Sequence, residues 1–310
     1  MRRRIISLSV VALAIMTTAW LAHADVRSAQ YKGAATCAMC HKAMSKAIVE
    51  AYQKSAHAKA LQTADAEGAI VGDFSSNTAF TKDKVAYVLG SGRSEQAYLD
   101  AGYKVLPATW DVKAKTWKPA QSVDGATQCI GCHVTGYAAA TKTGAQNGVG
   151  CEACHGPGSE HITGPDRKAT IINPKNLDPA KQAMVCGQCH SVGKDPSGAY
   201  AHPVTFRPGD DLTKAFVDAK PTAGGRNQQY SEFIQSKHAQ LGLTCISCHD
   251  PHGMTTERSQ LKKPVVEQCL GCHAGKVKDM ATHAPNAAAG TTCATCHMPG
   301  GKHNFAKPGA

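Results

Sequence analysis

Two cysteines separated by two residues and followed at once by a histidine occur seven times in this chain of 310 residues. The seven pentapeptides, numbered here as motifs 1 to 7, are Cys37-Cys40-His41, Cys129-Cys132-His133, Cys151-Cys154-His155, Cys186-Cys189-His190, Cys245-Cys248-His249, Cys269-Cys272-His273 and Cys293-Cys296-His297. They use all 14 cysteines. C-x-x-C-H is the attachment signature of a c-type haem, whose axial iron ligand is the adjacent imidazole. The pattern predicts seven covalently bound haem c groups and no separate catalytic residue.

Disulfides and zinc sites are the alternatives for so many cysteine pairs. An even cysteine count in an exported chain favours disulfides, and the separation of Cys132 from Cys151 suits a zinc ribbon. Neither alternative explains the histidines. With 15 histidines among 310 residues, chance puts one after a given pair in about 5% of cases. Seven occurrences in seven therefore indicate haem attachment.

Eight histidines lie outside the motifs, and one of them, His23, falls in the expected leader. The other seven are His57, His161, His202, His238, His252, His283 and His303. Seven expected irons and seven spare imidazoles predict bis-histidine, six-coordinate haems, although a histidine taken singly is more often a surface or hydrogen-bonded residue. His202 stands apart from every motif. The mature methionines near motifs, Met39, Met254 and Met298, are interpreted as packing residues rather than ligands.

Short tethers limit which iron a spare histidine can reach. His252 follows His249 by three residues, which span at most ~11 Å. The two axial histidines of one haem need Cα atoms roughly 12 Å apart, given metal–nitrogen bonds of about 2 Å. His252 is therefore expected to serve a different haem from His249. Tethers of six residues join His155 to His161 and His297 to His303, and a neighbouring haem is favoured there too.

Residues 1–24 have the order of a secretory signal. Arg2, Arg3 and Arg4 form the positive region, residues 5–19 are apolar, and Ala22-His-Ala24 is an A-x-A cleavage site. A retained membrane anchor is the alternative, although the apolar region is short for a spanning helix. The sequence predicts an exported protein, periplasmic or extracellular.

The composition argues against nucleic-acid binding. Without the three leader arginines the chain has 31 basic and 23 acidic residues, and the 14 propionates of seven haems would offset the surplus. No basic stripe is interleaved with aromatic residues.

Aromatic residues make up only 5% of the chain. Porphyrin faces are therefore expected to supply much of the core, and the haem-free chain is expected not to fold.

The predicted fold is mainly α with much irregular loop, in one domain over residues 25–310. Residues 42–61 favour helix, with His57 near its end, and residues 229–240 favour a short helix that presents His238. A haem-free insert, residues 64–125, alternates apolar and polar residues. It is predicted to form an antiparallel sheet of two to four strands within about residues 80–120. The expected strands are residues 85–89, 97–99, 103–110 and 116–118. The last three motifs recur every 24 residues, as in a repeated unit.

The run Cys151-Glu-Ala-Cys-His-Gly-Pro-Gly-Ser-Glu-His161 resembles a segment of multihaem cytochromes of the c554-like and periplasmic decahaem electron-conduit types. Cys245 to Gly253 and Cys293 to Pro299 are similar to the same group, and Leu106-Pro-Ala-Thr-Trp-Asp111 resembles a non-haem insert in some of its members. The resemblance implies a multihaem cytochrome c fold in which His161, His252 and His303 are distal ligands. The chain departs from the group in having seven motifs rather than four or ten.

Three functions compete at this point. An electron carrier with closed bis-histidine haems in anaerobic respiration is favoured, because such haems offer no substrate position and lack the axial methionine that raises the potential. Its partners would be a quinol-oxidising membrane cytochrome, a terminal reductase or an outer-membrane conduit. A reductase of nitrite, hydroxylamine or a sulfur oxyanion would need one open haem, and the C-x-x-C-K motif of related nitrite reductases does not occur. A homo-oligomeric haem wire is the third possibility.

Overall fold

The computed structural model describes residues 28–76, 79–223 and 225–305. The expected leader lies outside these residues. The helices are short and are listed here in chain order: α1 (Ala34–Met44), α2 (Lys46–Lys54), α3 (Gly125–Gln128), α4 (Ile130–His133), α5 (Cys151–His155), α6 (Ser159–Thr163), α7 (Pro179–Gly187), α8 (Gln229–Phe233), α9 (Lys237–Gln240), α10 (Cys245–Cys248), α11 (Val265–His273), α12 (Met280–His283) and α13 (Cys293–His297).

Antiparallel strands make up the other regular structure. Five of them form a meander in the order β1 (Leu61–Thr63), β2 (Tyr87–Leu89), β3 (Glu95–Leu99), β4 (Ala108–Asp111) and β5 (Thr116–Pro119). Two small ribbons pair β6 (Val134–Thr135) with β7 (Gln146–Asn147) and β8 (Gly193–Lys194) with β9 (Val217–Asp218). Helix accounts for about 35% of the structure. The fold is therefore mixed, and the expectation of a mainly α chain holds only in part.

Three predicted elements differ from the structure. The helix expected over residues 42–61 is divided between α1 and α2 and ends at Lys54, because Ser45 between the two helices is not helical (φ −148°, ψ 54°). The segment expected to present His238 as one helix is likewise divided into α8 and α9. The strand expected at residues 103–110 begins only at Ala108, since Tyr103 is left-handed (φ 66°).

The five-stranded sheet packs one face on motif 2. Side chains alternate across a strand, so Tyr98 and Leu99 enter different clusters. Leu99 packs with Leu61 and with Ile130, which lies between the two cysteines of motif 2 and is fully buried. The insert therefore acts as a support for this motif.

The second half of the chain has its own apolar cluster around α7 and α8. Its members include Ala183, Phe206, Phe216, Tyr230 and Phe233.

Among the residues that the structure describes, no helix has the length and apolar character needed to cross a membrane.

The Gln96 side chain is buried in the sheet and makes several hydrogen bonds there. Its amide nitrogen donates to the Ala69 carbonyl (2.7 Å), and its oxygen accepts from the Val71 N–H (3.0 Å) and the Tyr98 hydroxyl (3.0 Å). We expect Gln96→Leu to destabilise the sheet by about 2–4 kcal/mol, because buried polar groups lose their partners. Native-state hydrogen exchange of the strand amides measures this loss. Gln62→Leu, the same change on β1, is the control and should cost less than half as much.

Candidate functional site

In five motifs a helical turn brings the two cysteines together, whereas motif 2 begins between α3 and α4 and motif 4 continues past the end of α7. Side chains three residues apart share one face of a helix, so both thiols of a motif point the same way and the histidine follows directly. Two of these turns have a capping box. Thr244 pairs with Ser247 at the start of α10, and Thr292 pairs with Thr295 at the start of α13. The motif residue just before the second cysteine thus helps to begin the helix that carries it.

Six of the seven motif histidines face a spare histidine. The ring-centre separations lie between 6.0 and 6.3 Å for the pairs His41–His161, His57–His190, His155–His252, His238–His273, His249–His303 and His283–His297. His252 faces His155 rather than its neighbour His249, in agreement with the tether argument. His161 and His303 likewise face histidines of motifs 1 and 5, not those nearest in sequence.

This separation suits a metal ion between two imidazoles. Metal–nitrogen bonds of about 2 Å and roughly 1 Å from each nitrogen to its ring centre put two axial rings about 6 Å apart. The six pairs therefore have the spacing for an axially ligated iron, and the residues present fit haem c.

Hydrogen bonds at Nδ1 leave Nε2 of many of these histidines for a metal. The carbonyl partners of Nδ1 are Ala60 for His133 (2.9 Å), Ile172 for His155 (2.8 Å), Ser259 for His249 (2.8 Å), Arg167 for His161 (2.6 Å) and Gly301 for His303 (2.9 Å). A carbonyl accepts a hydrogen bond from Nδ1–H, and that fixes the tautomer and the ring orientation. The backbone thus prepares these rings as ligands.

Burial keeps several of these imidazoles neutral. Desolvation lowers the pKa of His57, His133 and His155, and lowers the pKa of His190 to about 4. The neutral form is the one that binds a metal.

His202 departs from the predicted pattern. It is only 4% exposed, and neither ring nitrogen has a hydrogen-bond partner. Its ring lies against Tyr137 and Tyr200 (5.8 and 5.4 Å between centres) and so close to Gly131 that a Cβ there would lie 2.0 Å from its Cγ. Among the histidines that the structure describes, His202 faces no motif histidine, and His133 faces no spare one. That His202 is a seventh distal ligand stays a prediction, and its ring lies against Gly131 of the motif 2 turn.

Contacts between motifs define which haem positions are neighbours. The helices that carry motifs 1 and 3, motifs 4 and 5, and motifs 6 and 7 contact each other, and the cysteines Cys37 and Cys151, Cys186 and Cys245, and Cys269 and Cys293 are neighbours there. Between motifs 2 and 4, the Cys132 thiol donates to the Gln188 carbonyl (3.7 Å) and the Cys189 thiol to the Cys132 carbonyl (3.8 Å). The Gln188 amide of motif 4 also donates to the Ala153 carbonyl of motif 3 (2.9 Å), and Cys248 of motif 5 lies near Cys272 of motif 6. The order of neighbours is therefore 1–3–4–5–6–7, and motif 2 branches from motif 4.

Disulfide bonds were one alternative to haem attachment for the cysteine pairs. All fourteen cysteines lie in the described part of the chain, and none of them forms a disulfide.

Sequence reasoning did not identify Glu152, a buried carboxylate between the cysteines of motif 3. An acidic residue inside an attachment motif was the available signal.

Family models match two parts of the chain. One described as Cytochrome c554 and c-prime matches residues 36–86 and 101–156, which contain motifs 1 to 3. One described as a doubled CXXCH motif matches residues 238–278, which contain motifs 5 and 6.

Two curated proteins are similar over about half of the chain. Multiheme cytochrome MtrA of Shewanella baltica is 32% identical over 183 residues, which are 50% of this chain and 54% of MtrA. Dissimilatory sulfite reductase MccA of Wolinella succinogenes is 27% identical over 177 residues, 49% of this chain and 22% of MccA. The chain thus matches about half the length of MtrA and less of MccA.

The fold has a solved counterpart. The outer cell wall cytochrome OcwA superposes with a TM-score of 0.72 at 23% identity, over 89% of this chain and 79% of OcwA. Likeness at this identity concerns the fold. Attachment motifs, histidine pairs at an iron-spanning distance and these matches lead to one conclusion, that the chain belongs to the multihaem c-type cytochromes.

Proposed function

We propose that the protein transfers electrons through seven covalently bound haems, six of them with two histidine ligands. The observation that carries the proposal is the set of six histidine pairs at 6.0–6.3 Å. Iron held by two histidines has no free position for a substrate, so it exchanges electrons only. Histidine in place of methionine also keeps the reduction potential low.

The contacts between motifs support a linear path from the haem of motif 1 through those of motifs 3, 4, 5 and 6 to that of motif 7. Neighbouring cysteines of two motifs would hold two porphyrin edges close together, which favours electron hopping. By its neighbours among the described cysteines, the haem of motif 2 would exchange electrons with this path through motif 4.

Partners and location follow the same proposal. The electron donor and acceptor would be other redox proteins, such as a quinol-oxidising membrane cytochrome, a terminal reductase or an outer-membrane conduit. The place of action would be the periplasm or the cell exterior. MtrA and OcwA, a multiheme cytochrome and an outer cell wall cytochrome, support this class of protein.

Reduction of a small oxyanion or hydroxylamine at the haem of motif 2 is the second candidate function. It is favoured by the absence of a facing ring at His133 among the described histidines. His133 itself is oriented for iron by its bond to the Ala60 carbonyl. MccA, a sulfite reductase, is a partial relative, which supports the same candidate.

Electron paramagnetic resonance of the ferric protein, with haem content from intact mass, tests both candidates. We expect seven haems, low-spin signals from six, and a high-spin signal from about one-seventh of the iron that cyanide converts to low spin. A redox titration should take up seven electrons per chain. His202→Leu should leave the spectrum unchanged, because the proposal assigns no iron to His202.

Each outcome has a separate meaning. High-spin iron well above one-seventh would contradict the bis-histidine path. A wholly low-spin spectrum would reject the second candidate, and a new high-spin signal in His202→Leu would restore His202 as the missing ligand.

A further inference from the structure

Glu152 is a charged residue in a buried position. It stands next to Cys151 in motif 3, yet it is only 2% exposed. Its carboxylate accepts hydrogen bonds from three backbone N–H groups, and each oxygen has two of these bonds. Oε1 accepts from Lys32 (2.8 Å) and Gly158 (2.7 Å), and Oε2 accepts from Lys32 (3.0 Å) and Gly33 (2.7 Å). Both oxygens act as acceptors only, which suits the ionised form.

The three N–H groups belong to the starts of two helices. Gly33 is the N-cap of α1, which carries both cysteines and His41 of motif 1. Gly158 is the N-cap of α6, which carries His161. His41 and His161 are the pair whose ring centres lie 6.1 Å apart. One carboxylate of motif 3 thus binds the beginnings of both helices that bring the two ligands of motif 1 together.

Other bonds join the same two segments without replacing Glu152. The Gln30 N–H donates to the Ser159 hydroxyl (2.9 Å), and the Ser159 N–H donates to the Gln30 carbonyl (3.1 Å). These bonds lie on the exposed side, whereas those of Gly33 and Gly158 to Glu152 are buried. A buried donor that loses its acceptor costs more than an exposed one, because water cannot replace the partner.

We propose that Glu152 is a positioning residue for the haem of motif 1, which sets the separation of His41 and His161 and adds a buried negative charge beside the haems of motifs 1 and 3. The inference rests on the proposed bis-histidine ligation at motif 1. A nearby negative charge stabilises ferric over ferrous haem, so it lowers the reduction potential. Geometry and charge are two separate effects of one side chain.

Two substitutions separate these effects. Glu152→Asp keeps the charge but retracts the carboxylate by one methylene, so it cannot reach both helix starts at once. Glu152→Gln keeps the length but removes the charge and directs an amide N–H₂ at backbone donors. We expect Glu152→Asp to add high-spin iron of up to one-seventh of the total, with seven haems still attached. We expect Glu152→Gln to raise the potential of at least one haem in a redox titration.

Two further variants make the result decisive. Glu160→Gln removes the same charge in α6, where the Glu160 carboxylate accepts from the Ser159 hydroxyl (3.1 Å) rather than from a helix start, and should change neither the spin state nor the lowest potentials. His161→Ala shows the spectrum of motif 1 with its distal ligand removed. If His161→Ala adds no high-spin iron, the ligation at motif 1 is wrong. If His161→Ala adds it but both Glu152 variants keep the wild-type spectrum and potentials, the role of Glu152 is wrong.

Discussion

Without haem, the chain is expected to lose the structure of its haem-binding segments and to keep that of the five-stranded sheet. The helices that carry motifs 1, 5, 6 and 7 contain no buried residue. They are four to eleven residues long, below the roughly 12–15 residues at which an isolated helix becomes even marginally stable. We therefore expect these helices to pack on porphyrin faces.

The sheet has a protein core of its own. Tyr98 is fully buried among Val88, Trp110 and other apolar residues. Phe74 contacts the rings of Tyr98 and Trp117 at 5.4 and 5.0 Å between centres. Aromatic pairs at these distances add to the stability gained from burial. This part of the chain does not depend on porphyrin surface.

A chain with alanine at all fourteen cysteines tests the expectation. Circular dichroism should show strand but little helix, and limited proteolysis should leave one resistant fragment that contains β1 to β5, whereas the haem-loaded protein resists throughout. Slowly exchanging amides in α10, α11 and α13 of the haem-free chain would contradict the prediction. So would complete digestion of the sheet.

Local sequence predicted the features that depend on local chemistry. Haem attachment follows from the two thiols and the imidazole of one pentapeptide, and the exclusion of His252 from the iron of His249 follows from the length of three residues. The strands at residues 87–89 and 116–119 were close to those expected from alternation. In each case the determining atoms lie within a few residues of one another.

Features that depend on distant contacts were not predictable in this way. His57 and His190 are 133 residues apart, and nothing near either one indicates the other. The first strand, Leu61–Thr63, begins at the last residue of the segment in which composition favoured helix, and Leu61 is buried there against Leu99 and Ile130. The count of seven spare histidines suggests His202 as a ligand, and this stays a prediction, because its ring contacts Tyr137 and Tyr200 and faces no motif histidine among those described. Equal numbers of irons and histidines do not require that each histidine binds iron.

His57→Met is expected to slow electron transfer between the two ends of the molecule, because the haem of motif 4 lies on the path. Motif 4 contacts motifs 2, 3 and 5 through Cys189, Gln188 and Cys186. His57 faces His190 of this motif. Methionine as the axial ligand raises the reduction potential of the haem. An electron that reaches this haem then has to leave it against a higher barrier.

The size of the effect follows from the change in potential. Each 0.1 V adds about 2.3 kcal/mol per electron. At about 1.4 kcal/mol for each tenfold in rate, a rise of 0.1 V slows the step by about fiftyfold. The haem is retained in this variant, so loss of core packing does not complicate the result.

A photosensitiser coupled to a cysteine in place of the exposed Lys46, in α2 next to the helix of motif 1, can inject one electron at that end. Transient absorption then follows the delivery of this electron to a soluble acceptor.

The matched control removes the haem of motif 2 with Cys129→Ala and Cys132→Ala. Delivery should be unchanged there. Among the described cysteines, those of motif 2 lie beside motif 4, so the haem of motif 2 is a side branch and not a step of the path. Equal slowing in both variants would mean that the haem of motif 2 is on the path and that the branched order is wrong. Unchanged delivery in His57→Met, with the potential of motif 4 raised, would mean that electrons bypass motif 4.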